Sequence, residues 1–154
     1  MLIQITKRAD GAGVLRCTRD DGSVTWQKQN ARHAAHFSLH DLTHYAVETT
    51  LDAKRGFFGL IAEGWEIDDT TGKGSRGPIP PEAGFIEHIV GVFDAERASG
   101  TLWTLEEFHE FGGEHARQLT AEQIAAIRAR RSELFQQWDG IPPSGVLQLG
   151  YPAQ

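Results

Sequence analysis

The chain has 154 residues, of which 40% are hydrophobic and 23% charged, with a formal net charge of −6. That length supports one domain with a real core and not two, so residues 1–154 read as a single domain. The acidic balance excludes a nucleic-acid backbone as the main partner, and no apolar run approaches the length that spans a bilayer. The amino terminus lacks the basic-then-apolar pattern of a signal peptide, and the single Cys17 can make no internal disulfide. Both observations lead us to expect a protein of the reducing cytoplasm.

Leu2-Ile3-Gln4-Ile5-Thr6 alternates with a period of two, and Val14 to Thr18 and Ser23 to Lys28 are further strand candidates. Asp10-Gly11-Ala12-Gly13 and Asp20-Asp21-Gly22 supply the reversals, which makes a three-stranded antiparallel meander. Ser38, followed by Asp41 three residues later, predicts the start of a helix that runs to about Asp52. Phe57 to Trp65 reads as a short buried helix. Asp68 to Pro81 is a Gly- and Pro-rich loop, expected to be mobile and to cover a site. Its Gly72-Lys73-Gly74-Ser75-Arg76-Gly77 lacks the spacing of a phosphate-binding loop.

Pro81 starts a helix with Phe85, Ile86, Ile89, Val90, Val92 and Phe93 on a broad apolar face, and His88 at its edge reads as a core histidine bonded to a carbonyl. Thr104-x-x-Glu107 caps a helix that Gly112-Gly113 interrupts. Thr120-x-x-Gln123 caps the last helix, whose apolar stripe contains Arg131, a cation in need of a partner: most often a structural carboxylate, less often an anionic substrate. Val146 to Tyr151 is a strand expected to return to the amino-terminal sheet. The fold expected is therefore α+β: a small antiparallel sheet, the meander plus the final strand, packed with four or five helices.

Four of the seven histidines, His33, His36, His40 and His44, fall within twelve residues. On a helix, His40, His44 and Glu48 project from one side, and Val47 and Leu51 share that arc, so the imidazoles should point inward. Two inward imidazoles and a carboxylate one turn on suit a divalent metal, zinc first among them. The His-Asp-x-x-His pattern differs from the zincin His-Glu-x-x-His by one methylene at Asp41, which would reach the general-base position poorly, so peptidase activity is not expected. Asp41 instead reads as a helix cap or as an outer group that orients an imidazole.

His40-Asp41-Leu42-Thr43-His44 resembles the His-Asp-x-x-His zinc motif of the ubiquinone-biosynthesis proteins implicated in processing the quinone ring. That family adds a glutamate in a following helix, and the resemblance implies Glu63 for that role, over about twenty-five residues of chain. The metal set is thus His40 and His44 with an oxygen from Glu48 or Glu63. The function expected is a metal-dependent hydrolase or lyase acting on a small molecule. The alternative is a non-catalytic binding or assembly module with structural buried histidines. Oligomeric state is not legible in the sequence.

Overall fold

The computed structural model describes residues 1–29 and 34–152. A four-stranded antiparallel sheet is formed by β1 (Leu2–Lys7), β2 (Gly13–Thr18), β3 (Val24–Lys28) and β4 (Val146–Gly150), in the order β3-β2-β1-β4. The period-two alternation of β1 sends Ile3 and Ile5 inward and Gln4 outward. Ile3 stands between Cys17 and Leu149, and Ile5 between Leu15 and Leu147, so three strands build one apolar face. The opposite face carries Gln4, Arg16 and Gln148, and Trp26 remains exposed on β3. The α+β expectation and the return of the last strand are both observed.

Among the described residues five helices accompany the sheet: α1 (Ala34–Thr50), which packs against β2, α2 (Phe57–Ala62), α3 (Pro81–Ser99), α4 (Leu105–Ala116), which packs on α3, and α5 (Ala121–Gly140). A 3-10 helix over Ile67–Thr71 occupies the start of the expected loop. α1 lies at the centre, packed on α3 and α5, and every residue from Asp41 to Glu48 is buried. A helix enclosed on all sides has no solvent face to mark in its sequence.

Two boundaries differ from expectation, each for a local reason. α1 begins at Ala34, so Ser38 is not its cap; the buried Ser38 hydroxyl instead donates to Gln29 Oε1 at 2.7 Å. Alanines 34 and 35 are strong helix formers and carry the helix upstream of the polar residue. α2 stops at Ala62 rather than Trp65, because Gly64 takes the left-handed conformation at φ +99°. The capping boxes at Thr104 and Thr120 both form, Pro81 is the first residue of α3, and Gly113 kinks α4 at φ 65°.

Candidate metal centre

α1 and α3 run antiparallel and bring two histidines opposite two carboxylates. Glu87 and Asp94 are seven apart, hence on one face of α3, and they meet His44 and His40 respectively. His40 Nδ1 lies 2.7 Å from Asp94 Oδ2, which leaves its Nε2 for another partner. His44 is 1% exposed, with Nε2 3.3 Å from Glu87 Oε1. Its Nδ1 lies 3.3 Å from Glu48 Oε1 but outside hydrogen-bond alignment, a buried ring nitrogen without a satisfied bond. The two imidazoles meet edge to face, with ring centroids 4.8 Å apart.

One ligand atom from each of His40, His44 and Glu87 falls within 4.8 Å of the others. Donors bound to tetrahedral zinc at about 2.0–2.1 Å stand roughly 3.3 Å apart. The Nε2–Oε1 separation of His44 and Glu87 is already 3.3 Å, long for a charge-assisted hydrogen bond and right for two ligands of one ion. Both Nδ1 atoms face carboxylates, the arrangement that fixes ring orientation in metal-binding histidines. The donor set therefore fits a divalent ion.

His36, His40 and Asp94 form a second such group. Arg97 Nη2 lies 3.4 Å from both His36 Nδ1 and Asp94 Oδ1. A permanent cation at that position opposes a metal ion there, so the group with Glu87 is the better candidate.

Glu48 does not join the ligands. It is buried, and its oxygens accept from the backbone N–H groups of Phe58 (3.2 Å) and Gly59 (3.1 Å) and from the Tyr151 hydroxyl (3.2 Å). The side chain serves as an anionic cap for the first turn of α2 and backs His44 from behind. A Cβ at Gly56 would stand 2.3 Å from Glu48 Cδ, so this capping depends on glycine there. Glu63 lies apart altogether: it is exposed and pairs with Arg55 at 3.0 Å. Phe58 and Ile61 turn inward from α2 and carry Glu63 to the solvent side.

Asp41 stands beside the centre rather than at a cap. It is buried, accepts from Gln29 Nε2 at 2.5 Å, and lines the same cleft as both histidines. Burial pushes its carboxyl up to about 7, opposed by the nearby charges of His40 and His44. For His44, burial works against the cation, but Glu48 and Glu87 outweigh it and raise the imidazole. Burial would raise Glu87, yet its contact with His44 leaves it lowered.

The centre opens into a cleft of about 360 Å³. Phe37, Phe57, Ile67 and Ile79 supply apolar walls, and Gln27, Thr70 and Thr71 supply polar groups. The loop expected to cover a site is thus part of its wall, and it is tied internally through Asp69, which accepts from the Ser75 backbone at 2.7 Å.

Glu87 was missed by sequence reasoning, as was Asp94. The legible signal was two carboxylates two turns apart among the apolar residues of α3. The remaining described histidines are structural or peripheral. His88 Nε2 bonds the Gly112 carbonyl at 2.7 Å, as expected, but the residue is exposed and not in the core, and His109 Nε2 bonds the Leu119 carbonyl at 3.0 Å. His115 packs against the His88 ring, and His33 lies outside the described residues. Among the described residues, no helix is long and apolar enough to cross a membrane. Compared with protein-family models, curated proteins and solved structures, the chain matches none of them.

Proposed function

We propose that His40, His44 and Glu87 bind one divalent metal ion, with zinc as the first choice, and that the protein is a metal-dependent hydrolase or lyase acting on a small substrate. The observation that carries this reading is the ligand-like spacing of His44 and Glu87 beside His40, with a carboxylate behind each imidazole. When bound, the ion supplies Lewis-acid polarisation of a substrate oxygen. His40, His44 and Glu87 would hold the ion as three protein ligands, the number that catalytic rather than structural zinc sites use. The cleft volume of about 360 Å³ lies at the small end of ligand pockets, which favours a small molecule. Its apolar walls exclude water around the reacting atoms, and Gln27, Thr70 and Thr71 orient the substrate's polar groups. Asp41 is the buried carboxylate of the cleft and holds a proton-accepting group close to both imidazoles. The single buried Cys17 supports a reducing compartment, the cytoplasm.

A second reading has its own support. With His44 protonated, the imidazolium lies between Glu48 and Glu87 as a metal-free ion cluster in a binding or assembly module. Metal content of protein purified without chelator separates the two. The metal reading expects close to one divalent ion per chain, lost in His44→Ala. Wild-type protein that holds no ion and takes up none on titration removes it.

A further inference from the structure

A second cleft, also about 360 Å³, opens between the carboxyl-terminal end of α3, the turn after it and α5. It shares no lining residue with the histidine cleft. Arg97, Arg128 and Arg131 all line it. In a chain with a net charge of −6, this convergence is no by-product of a basic composition.

Two of the guanidiniums have a structural anchor. Glu96, 2% exposed, receives Arg128 through Nε and Nη2 and Arg131 through Nη2 at 3.2 Å. Arg131 Nη1 also donates to the Phe93 carbonyl at 2.7 Å, and Arg128 Nη2 to that of Trp103 at 2.9 Å. These bonds fix both planar forks from one side. Arg128 Nη1 and Arg131 Nε have no protein partner among the described residues. Arg97 makes no bond to Glu96, and its Nε–H is buried without an acceptor among the described residues. Leu102, 73% exposed, and Phe135 add apolar surface to the same walls. One exposed carboxylate, Asp139, stands opposed.

We propose that this cleft binds a small organic oxyanion, a carboxylate or a phosphate monoester, whose apolar body rests on Leu102 and Phe135. Held guanidiniums with spare N–H groups match a planar or tetrahedral oxyanion by paired hydrogen bonds. Loss of rotamer freedom on binding is small because Glu96 has already ordered two of the three side chains.

The test is titration of the full chain with benzoate and with phenyl phosphate, against chloride at matched ionic strength, followed by calorimetry and backbone amide shifts. The expected result is saturable binding of one or both probes, with shifts centred on Leu102, Ser132 and Phe135; the tighter probe identifies the oxyanion class. Ser132 is exposed and lines the cleft, so Ser132→Glu places a carboxylate there without disturbing the Glu96 anchor. It should weaken binding at least about tenfold at unchanged Tm. Asp139→Asn should tighten it and keeps the test decisive if the first variant folds poorly. No saturable binding, binding indifferent to both variants, or shifts centred on the histidine cleft would overturn the proposal.

Discussion

The two clefts have the same volume, and α3 contributes to both, yet their electrostatics are inverted. At one, imidazoles stand among carboxylates, and one donor atom from each of His40, His44 and Glu87 lies within 4.8 Å of the others. At the other, two guanidiniums share the Glu96 carboxylate and a third stands beside them, with N–H groups that meet no protein acceptor among the described residues. Glu96 is consumed by its neighbours, whereas Glu87 pairs with His44 through Oε1 alone among the described residues. A buried charge saturated by protein partners is architecture; a half-exposed one held at a ligand-like spacing is available for chemistry.

The largest effect expected from breaking this contrast lies on the architectural side. Glu96→Gln leaves two partly buried guanidiniums without their counter-charge and should cost about 3 kcal/mol or more. Urea unfolding at an unchanged m-value checks this, and a loss below about 1 kcal/mol would show that the triad contributes little. At the histidine cleft, zinc in hundredfold excess over Kd should stabilise the wild type by about 2.7 kcal/mol. The double variant His40→Ala, His44→Ala should gain nothing from the same zinc, and an equal rise in Tm would place the ion elsewhere.

Asp94→Asn probes the carboxylate behind His40. It should weaken zinc roughly 10- to 100-fold without abolishing it. Unaltered affinity in calorimetry would show that Asp94 does not orient the ligand.

Titration with pH sharpens the comparison further. The carboxylates raise the metal-free His44 above its unfolded value of about 6.5. A raised imidazole contributes stability that is fully present below that unfolded value and is lost as pH rises through the folded one. Asp41, raised to about 7, has an earlier window: its neutral form stabilises the fold in acid, and that contribution is lost between about pH 4 and pH 7, which leaves the alkaline range to His44. The metal-free protein should therefore lose Tm on going from neutral to alkaline pH. Zinc binding requires neutral imidazoles, so its stabilising increment should grow over the same range. Parallel curves with and without zinc would refute the link between His44 and the ion. The smallest effect is a control outside both clefts: Thr104→Ala removes the α4 cap and should cost about 1 kcal/mol while leaving zinc affinity unchanged.

Much of the scaffold was legible because it depends on near neighbours. Alternation set the meander, Thr104-x-x-Glu107 and Thr120-x-x-Gln123 marked two helix starts, and Pro81 marked a third. Ser38 misled for the same reason: a local capping pattern cannot reveal Gln29, nine residues away and across a strand end, which takes its hydroxyl. The His40–His44 spacing correctly put two imidazoles on one helical face, because that depends only on 3.6 residues per turn.

The sequence by itself thus determined the α+β architecture, the strand pairing order of the meander and the pairing of His40 with His44. Tertiary structure alone decided which carboxylate faces them. Glu48 had the right helical offset, but the packing of α2 against α1 turned it onto the amides of Phe58 and Gly59. Glu63 had the motif's implied place, but the inward turn of Phe58 and Ile61 sent it to solvent. Glu87 arrives from a helix forty-three residues beyond His44, through the antiparallel packing of α1 and α3. The physical reason is range: backbone periodicity fixes directions within one helix, whereas a ligand set is closed by side chains whose meeting depends on how whole helices pack.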